Sequence, residues 1–147
     1  MTRVDFHFNV PDKVDYGCRL IRKIRRAGNR AVVFCDDVER LRRLDTALWS
    51  FSPLEFIPHV SATDPLAPRT PVLLTAAQAE LPASHYQVLV NLGTELPPFF
   101  TRFERVVEIV GADEPDRARA RQRFRFYKDR GYPLETHEVR PSTEAAR

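Results

Sequence analysis

Apolar side chains recur along the chain with two different spacings, and the alternation between these spacings predicts a series of strands and helices. Residues 3–9 alternate polar and apolar positions, a pattern typical of a strand with one face in the core. Residues 14–27 instead place Leu20, Ile21 and Ile24 at helical spacing, and Gly28 follows where that helix ends. The chain therefore opens with a strand and then a helix.

The same two spacings continue to the end of the chain, apart from a proline-rich middle. Further strands are predicted over residues 30–35, 72–74, 87–92, 105–110 and 134–139, and the last of these is predicted at a sheet edge. Helices are predicted over residues 38–49 and 113–130, and a short helix is predicted to begin at residue 97. Strands that alternate with helices favour a three-layer α/β fold, with a mostly parallel sheet and helices on both faces. Residues 1–140 are predicted to form one domain, and residues 141–147 a disordered tail.

Composition agrees with a single globular domain. The chain has 147 residues, of which 43% are hydrophobic and 29% charged. It contains neither an apolar run of about 18 to 20 residues that would span a bilayer nor a signal-peptide pattern, so we expect a cytoplasmic protein without a membrane partner. The net charge of +3 says little about partners, and the distribution of charge matters more.

Motifs for catalysis and for nucleotide binding are missing from the sequence. The five glycines are scattered, so they form neither a Walker loop nor a GxGxxG turn. The four histidines fall in separate segments without ligand spacing, and no Ser or Cys has the context of a nucleophile elbow. Asp36 and Asp37 follow a predicted central strand, but a helix N-cap explains the pair. We therefore predict no catalytic residue, no metal ligand and no cofactor.

The predicted C-terminal helix carries a basic surface with an aromatic residue within it. At about 100° per residue, Arg117, Arg121, Phe124 and Lys128 fall within a sector of about 60°, and Arg125 borders that sector. Guanidinium groups pair with carboxylates while a ring packs against an apolar group, so this surface suits an acidic ligand with an apolar end, such as a protein C-terminus.

Two other interpretations of this helix stay open. In the first, Ala120, Phe124 and Tyr127 form the buried stripe of an ordinary amphipathic helix, and the arginines only face solvent. In the second, the basic residues bind the phosphates of a single-stranded nucleic acid.

A second feature follows the helix predicted at residues 38–49. Trp49 is the only tryptophan of the chain, and Phe56 and Pro58 come soon after it in a segment that prolines interrupt. Exposed aromatic and proline residues on a turn are good anchors for a partner helix or strand. The alternative is a hydrophobic plug that covers one edge of the sheet.

Together these stretches resemble the chi subunit family of the bacterial DNA polymerase III holoenzyme. The resemblance rests on Leu44-Asp-x-x-Leu-Trp49, Phe56-x-Pro58-His59 and Tyr127-Lys128-x-x-Gly131-Tyr132, and it extends over nearly the whole chain. It implies a Rossmann-like fold that has lost nucleotide binding, in a non-catalytic subunit that links the clamp loader to single-stranded DNA-binding protein. DNA would be contacted only indirectly, through the complex.

The resemblance also assigns residues to partners. In the family, one pocket holds the acidic, Phe-terminated tail of single-stranded DNA-binding protein. Arg117 and Arg121 match basic positions of that pocket. Phe124 matches an aromatic position of the pocket, and Arg125 matches a basic position at its rim. The Trp49, Phe56 and Pro58 positions match the surface that binds the psi subunit; a helicase or another clamp-loader component is the alternative partner there. Direct binding of single-stranded nucleic acid by the C-terminal helix is the alternative function, and a nucleotide-handling enzyme is a third that rests on fold analogy alone.

Overall fold

The protein folds around one parallel sheet of seven strands. The computed structural model describes residues 1–51 and 56–140. Its strands are β1 (Arg3–Val10), β2 (Ala31–Phe34), β3 (His59–Ser61), β4 (Val72–Thr75), β5 (Val88–Asn91), β6 (Arg105–Gly111) and β7 (Leu134–Glu138). They lie in the order β3-β4-β2-β5-β6-β1-β7, and every neighbouring pair is parallel.

Three α-helices begin at aspartate caps. They are α1 (Lys13–Arg26), α2 (Val38–Ser50) and α3 (Glu114–Asp129). The side chains of Asp12, Asp37 and Asp113, one before each helix, accept hydrogen bonds from backbone N–H groups of the first turn. After α1, Gly28 adopts a φ of 83°, a conformation that favours glycine. The predicted helix boundaries are therefore confirmed to within a few residues.

Helices cover both faces of the sheet, as predicted. The helices α1 and α2 pack on one face, over a cluster that includes Ile21, Leu44 and Val90. On the other face, α3 packs with the aromatic residues that follow β5, and this cluster includes Phe100 and Tyr127. All residues of β2, β4 and β5 are buried, as expected of interior strands with helices on both sides. The fold is a Rossmann-like α/β arrangement.

Two details differ from the sequence prediction. The proline-rich middle contains an unpredicted strand, β3, which has only three residues and pairs with β4 alone, so it leaves no clear hydrophobic period. The short helix predicted from residue 97 is a single 3-10 turn, Phe100–Arg102, because its phenylalanines are fixed by burial against the sheet. The predicted disordered tail, residues 141–147, lies outside the described residues. In the described part of the chain, no helix has the length and apolar composition needed to cross a bilayer.

Candidate protein-interaction surfaces

The outer face of α3 carries four exposed basic side chains around one half-buried ring. This surface, called the α3 surface below, consists of Arg117, Arg121, Phe124, Arg125 and Lys128. The ring of Phe124 meets Phe6 of β1 edge-on, with 5.3 Å between ring centroids. The sheet thus contacts one side of the ring, and the four basic side chains lie on the same exposed face of the helix. The structure brings together all five side chains that the sequence predicted on this face.

Arg121 already binds a carboxylate on this surface. Its guanidinium Nη2 lies 2.6 Å from Oε1 of Glu114, and both side chains are mostly exposed. The hydrogen bond and the positive charge of Arg121 lower the pKa of Glu114. Exposed ion pairs contribute little free energy, so a ligand carboxylate can exchange with Glu114 at small cost. The geometry suits an acidic peptide.

Beneath the α3 surface lies a buried charged network that sequence reasoning missed. Arg123 is only 4% exposed, and its Nε donates to Oε1 of the fully buried Glu108 at 3.0 Å. The Tyr127 hydroxyl donates to Glu108 Oε2 at 2.8 Å, and Asn91 Nδ2 donates to Oε1 at 2.9 Å. Arg123 also donates to the carbonyl of Thr94 at 2.6 Å. One arginine of the basic helix is therefore a core residue.

Two signals in the sequence point to this network. Glu108 interrupts an otherwise apolar strand, Val106 to Val110, so its carboxylate requires a partner in the core. Ala120, Arg123 and Tyr127 follow one another at intervals of three and four residues, so Arg123 lies on the buried stripe of α3. The interpretation of an amphipathic helix with a buried stripe is thus correct for Ala120 and Tyr127, and it coexists with the exposed basic face.

The second surface is an exposed aromatic pair at the end of α2. Trp49 is 62% exposed and Phe56 is 55% exposed. Their rings stack at 29° with centroids 5.1 Å apart, and Pro58 is exposed beside them. Below the pair lies the buried His59, whose Nδ1 bonds the carbonyl of Ile57 at 2.7 Å. Trp49, Phe56 and Pro58, called the α2 surface below, do not act as a plug, since Trp49 and Phe56 face solvent.

These two surfaces lie far apart on the protein. The α3 surface is on the face of the sheet that carries α3, with Phe124 packed on β1. The α2 surface is on the opposite face, next to β3 at the far edge of the sheet. Two partners can therefore occupy them at the same time.

Most candidates for acid–base chemistry are engaged in structural hydrogen bonds. Asp37 caps α2, as predicted, but Asp36 does not share that role: its carboxylate accepts from Thr94 N at 2.7 Å and from Glu95 N at 3.2 Å. Burial raises the pKa of Asp36, but the hydrogen bonds from Thr94 and Glu95 outweigh burial, and the net shift is downward. His85 bonds the carbonyl of Thr70 at 2.6 Å.

Two histidines from distant segments do meet. His7 and His137 lie on paired strands with ring centroids 5.0 Å apart. Next to them, in the described part of the chain, Asp5, Glu135 and His137 hold ligand-type atoms within 4.8 Å of one another. Asp5 is already engaged, because Arg105 Nε donates to its Oδ2 at 2.7 Å. The absence of a metal site stays a prediction.

Comparison with known proteins gives consistent matches along the chain. The family model described as DNA polymerase III chi subunit, HolC, matches residues 1–135. The DNA polymerase III subunit chi of Pseudomonas aeruginosa is 38% identical over 144 residues, which cover 95% of this chain and 98% of that protein. The protein of the same name from Escherichia coli is 30% identical over 119 residues, covering 81% and 80% of the two chains.

These matches agree with the sequence resemblance and with the fold. The likeness covers all strands and helices up to the start of β7, and it includes both candidate surfaces. Relatives of this name are, as the name says, subunits of DNA polymerase III. The chain belongs to the DNA polymerase III chi subunit family.

Proposed function

We propose that this protein is a non-catalytic adaptor that links the clamp loader of DNA polymerase III to single-stranded DNA-binding protein. The observation that carries the proposal is the α3 surface, where exposed guanidinium and ammonium groups surround the half-buried ring of Phe124. An acidic tail that ends in Phe matches both parts of this surface. A cytoplasmic location without a membrane partner is part of the same proposal.

The chemistry of the α3 surface favours a peptide carboxylate. The pairing of Arg121 with Glu114 demonstrates a geometry in which this guanidinium holds a carboxylate at 2.6 Å. Hydrogen bonds between charged groups are about twice as strong as neutral ones, and a terminal phenyl ring gains further free energy by packing against Phe124. Acidic residues of the tail would pair with Arg117, Arg125 and Lys128.

A direct nucleic-acid interaction is the second candidate function of α3. The exposed basic side chains of this helix favour it. Two features favour the peptide instead: Arg123 is buried and committed to Glu108, and Arg119 pairs with Glu95 at 3.1 Å. A groove lined by successive stacking aromatics, which single strands usually require, is not formed by the described part of α3.

The proposal is tested by titrating the protein with a fluorescent peptide that carries the acidic, Phe-terminated tail. We expect binding that weakens with salt and that is lost when the final Phe is removed. Arg121→Ala should weaken binding by about tenfold, since one charge-assisted hydrogen bond contributes about 1.4 kcal/mol or more. Arg119→Ala is the matched control, because it removes the same charge from the same helix on the side that faces Glu95.

Either of two results would contradict the proposal. The first is equal weakening by Arg121→Ala and Arg119→Ala, which would indicate general charge attraction without a pocket. The second is binding of bare single-stranded DNA through α3 without binding of either peptide, which would favour the nucleic-acid function.

The α2 surface is proposed to bind the psi subunit or another clamp-loader component. Exposed, stacked aromatic side chains are frequent energetic centres of protein interfaces. Because the two surfaces lie on opposite faces of the sheet, the protein would bridge its partners without competition between them. In this bridging role the protein would reach DNA through its partners.

A further inference from the structure

A cavity on the face opposite to α3 has no role in the proposed function. It lies beside α1, has a volume of about 710 Å³, and its lining includes side chains from β1, α1, the end of α2 and the start of β6. Small-molecule sites usually measure about 300 to 1,000 Å³. The cavity is therefore large enough for a ligand of nucleotide size.

Two buried nitrogen atoms without a hydrogen-bond partner belong to side chains of this cavity. They are Nε of Arg22 and Nε2 of His7. The Nε of an arginine is always a donor. The other ring nitrogen of His7, Nδ1, is hydrogen-bonded to the hydroxyl of Tyr16, and the tautomer decides whether Nε2 is a donor or an acceptor. Buried donors are normally paired in folded proteins, so the unpaired Nε of Arg22 favours a ligand that carries acceptor oxygens.

The charge of the lining is positive. Of the described residues that line the cavity, four are cationic and one, Asp15, is anionic. Burial, the charge of His137 and the nearby cations Arg105 and Lys23 lower the pKa of His7 to about 4, against the opposing effect of Asp5. The imidazole is therefore neutral near pH 7. Arg19 pairs with Asp15 and Arg105 pairs with Asp5, so Arg22 and Lys23 carry the net positive charge of the lining.

The rest of the lining is apolar and aromatic. Leu20, Ile24 and Phe51 contribute to it, and the Arg22 guanidinium lies over the Phe51 ring at 4.9 Å from its centroid. A flat ring can pack against such a surface while an attached anion meets the cations. Inorganic phosphate alone would fill only part of this volume.

We propose that this cavity binds a nucleotide, with the phosphate held by Arg22 and Lys23 and the base against Phe51. The same chemistry is offered by a free nucleotide and by one nucleotide of a single strand. A phosphate accepts several hydrogen bonds at one tetrahedral centre, which suits the neighbouring cationic donors of α1. The site lies on the other face of the sheet from α3, so it stays accessible when α3 holds a peptide.

The test is direct binding to the full-length protein by deoxythymidine monophosphate and by a labelled oligodeoxythymidylate. Lys23→Gln is the main variant and Arg69→Gln its control, because Arg69 is also an exposed basic residue but lies in the 3-10 turn Ala67–Arg69, outside the cavity and outside both candidate surfaces. We expect Lys23→Gln to weaken binding about tenfold and to lower the salt slope for the oligonucleotide by about 0.7, the value for one phosphate contact on a single strand.

Arg22→Gln should have a similar effect, and the thermal unfolding of each variant establishes that it is folded. Binding of both probes would identify the free nucleotide as sufficient, and binding of the oligonucleotide alone would identify the strand as the source. Each result supports the site if Lys23→Gln weakens binding and Arg69→Gln does not. Equal effects of Lys23→Gln and Arg69→Gln, or binding of an acidic peptide but of neither nucleotide probe, would overturn the proposal. Because α3 takes no part, peptide binding to α3 can fail without affecting this result.

Discussion

Replacing Arg123 by alanine will lower the free energy of unfolding by about 3–5 kcal/mol, the range found when one partner of a buried ion pair is removed. The carboxylate of Glu108 is fully buried, and Arg123 supplies its only cationic contact among the described residues. Without Arg123, the hydrogen bonds from Tyr127 and Asn91 remain, but the negative charge has no counter-ion. The Thr94 carbonyl also loses a donor. Urea unfolding followed by circular dichroism measures the change.

Arg121→Ala is the control for this prediction. It removes the same side chain from the same helix, two residues away, but at an exposed position whose partner Glu114 is also exposed. Its expected effect on unfolding is below about 0.5 kcal/mol. Equal destabilisation by the two substitutions would contradict the burial of the Arg123–Glu108 pair. A Glu108→Ala, Arg123→Ala double variant should cost less than the sum of the single variants, because each removes the partner that the other leaves unpaired.

The contrast between Arg121 and Arg123 illustrates which part of the site the sequence can predict. Helical periodicity alone places Arg117, Arg121 and Lys128 on one face, and the structure agrees because the buried residues of α3, among them Ala120 and Tyr127, lie on a different face. The same periodicity places Arg123 on the stripe with Ala120 and Tyr127, but a guanidinium is not expected to be buried there without a counter-ion. Its burial depends on Glu108, a residue of a strand that is adjacent only in the folded chain, and a single helix carries no information on that neighbour.

The fold was largely predictable for a similar physical reason. Strands that are buried on both faces, such as β2 and β5, require continuous apolar runs. The amphipathic helices α1 and α2, which lie between strands, require apolar residues with a period of 3.6 residues. Each requirement leaves a strong pattern in the sequence. The exception is β3, whose three residues pair with one neighbour at a sheet edge. Contacts with β4 determine the position of β3, and the prolines near it in the sequence obscure its short hydrophobic pattern.

The cavity beside α1 was not predictable from the sequence. Its lining joins His7, Tyr16, Phe51 and Arg105, which are up to 98 residues apart in the chain. Alternation along a strand puts His7 on the face away from Phe6, but what lies on that face depends on where α1 crosses the sheet. A histidine in a strand gives no sign of the helix that will cover it.

The α2 surface leads to the second prediction with a large effect. Trp49→Ala is expected to weaken binding of the psi subunit or the assembled clamp loader by at least about 30-fold, which corresponds to about 2 kcal/mol for a residue at an interface centre. Phe56→Ala should act similarly, because each ring supports the other by stacking at 5.1 Å. The free energy of unfolding should change by less than about 1 kcal/mol, since both rings are mostly exposed. Binding is measured with purified components by interferometry.

Leu66→Ala provides the matched control, because Leu66 is also a large exposed apolar residue, 57% accessible, but lies outside the α2 surface. If loss of exposed apolar area alone weakened the complex, Leu66→Ala would weaken it as well. The effects of Trp49→Ala and Phe56→Ala on the binding free energy should not be additive, because the stacked pair is expected to act as one anchor. The effect of either should be additive with that of Arg121→Ala, which lies on the opposite face of the sheet. Unchanged binding in Trp49→Ala would contradict the proposed role of the α2 surface in binding the psi subunit or the clamp loader. It would leave the proposed binding of the tail by α3 unaffected.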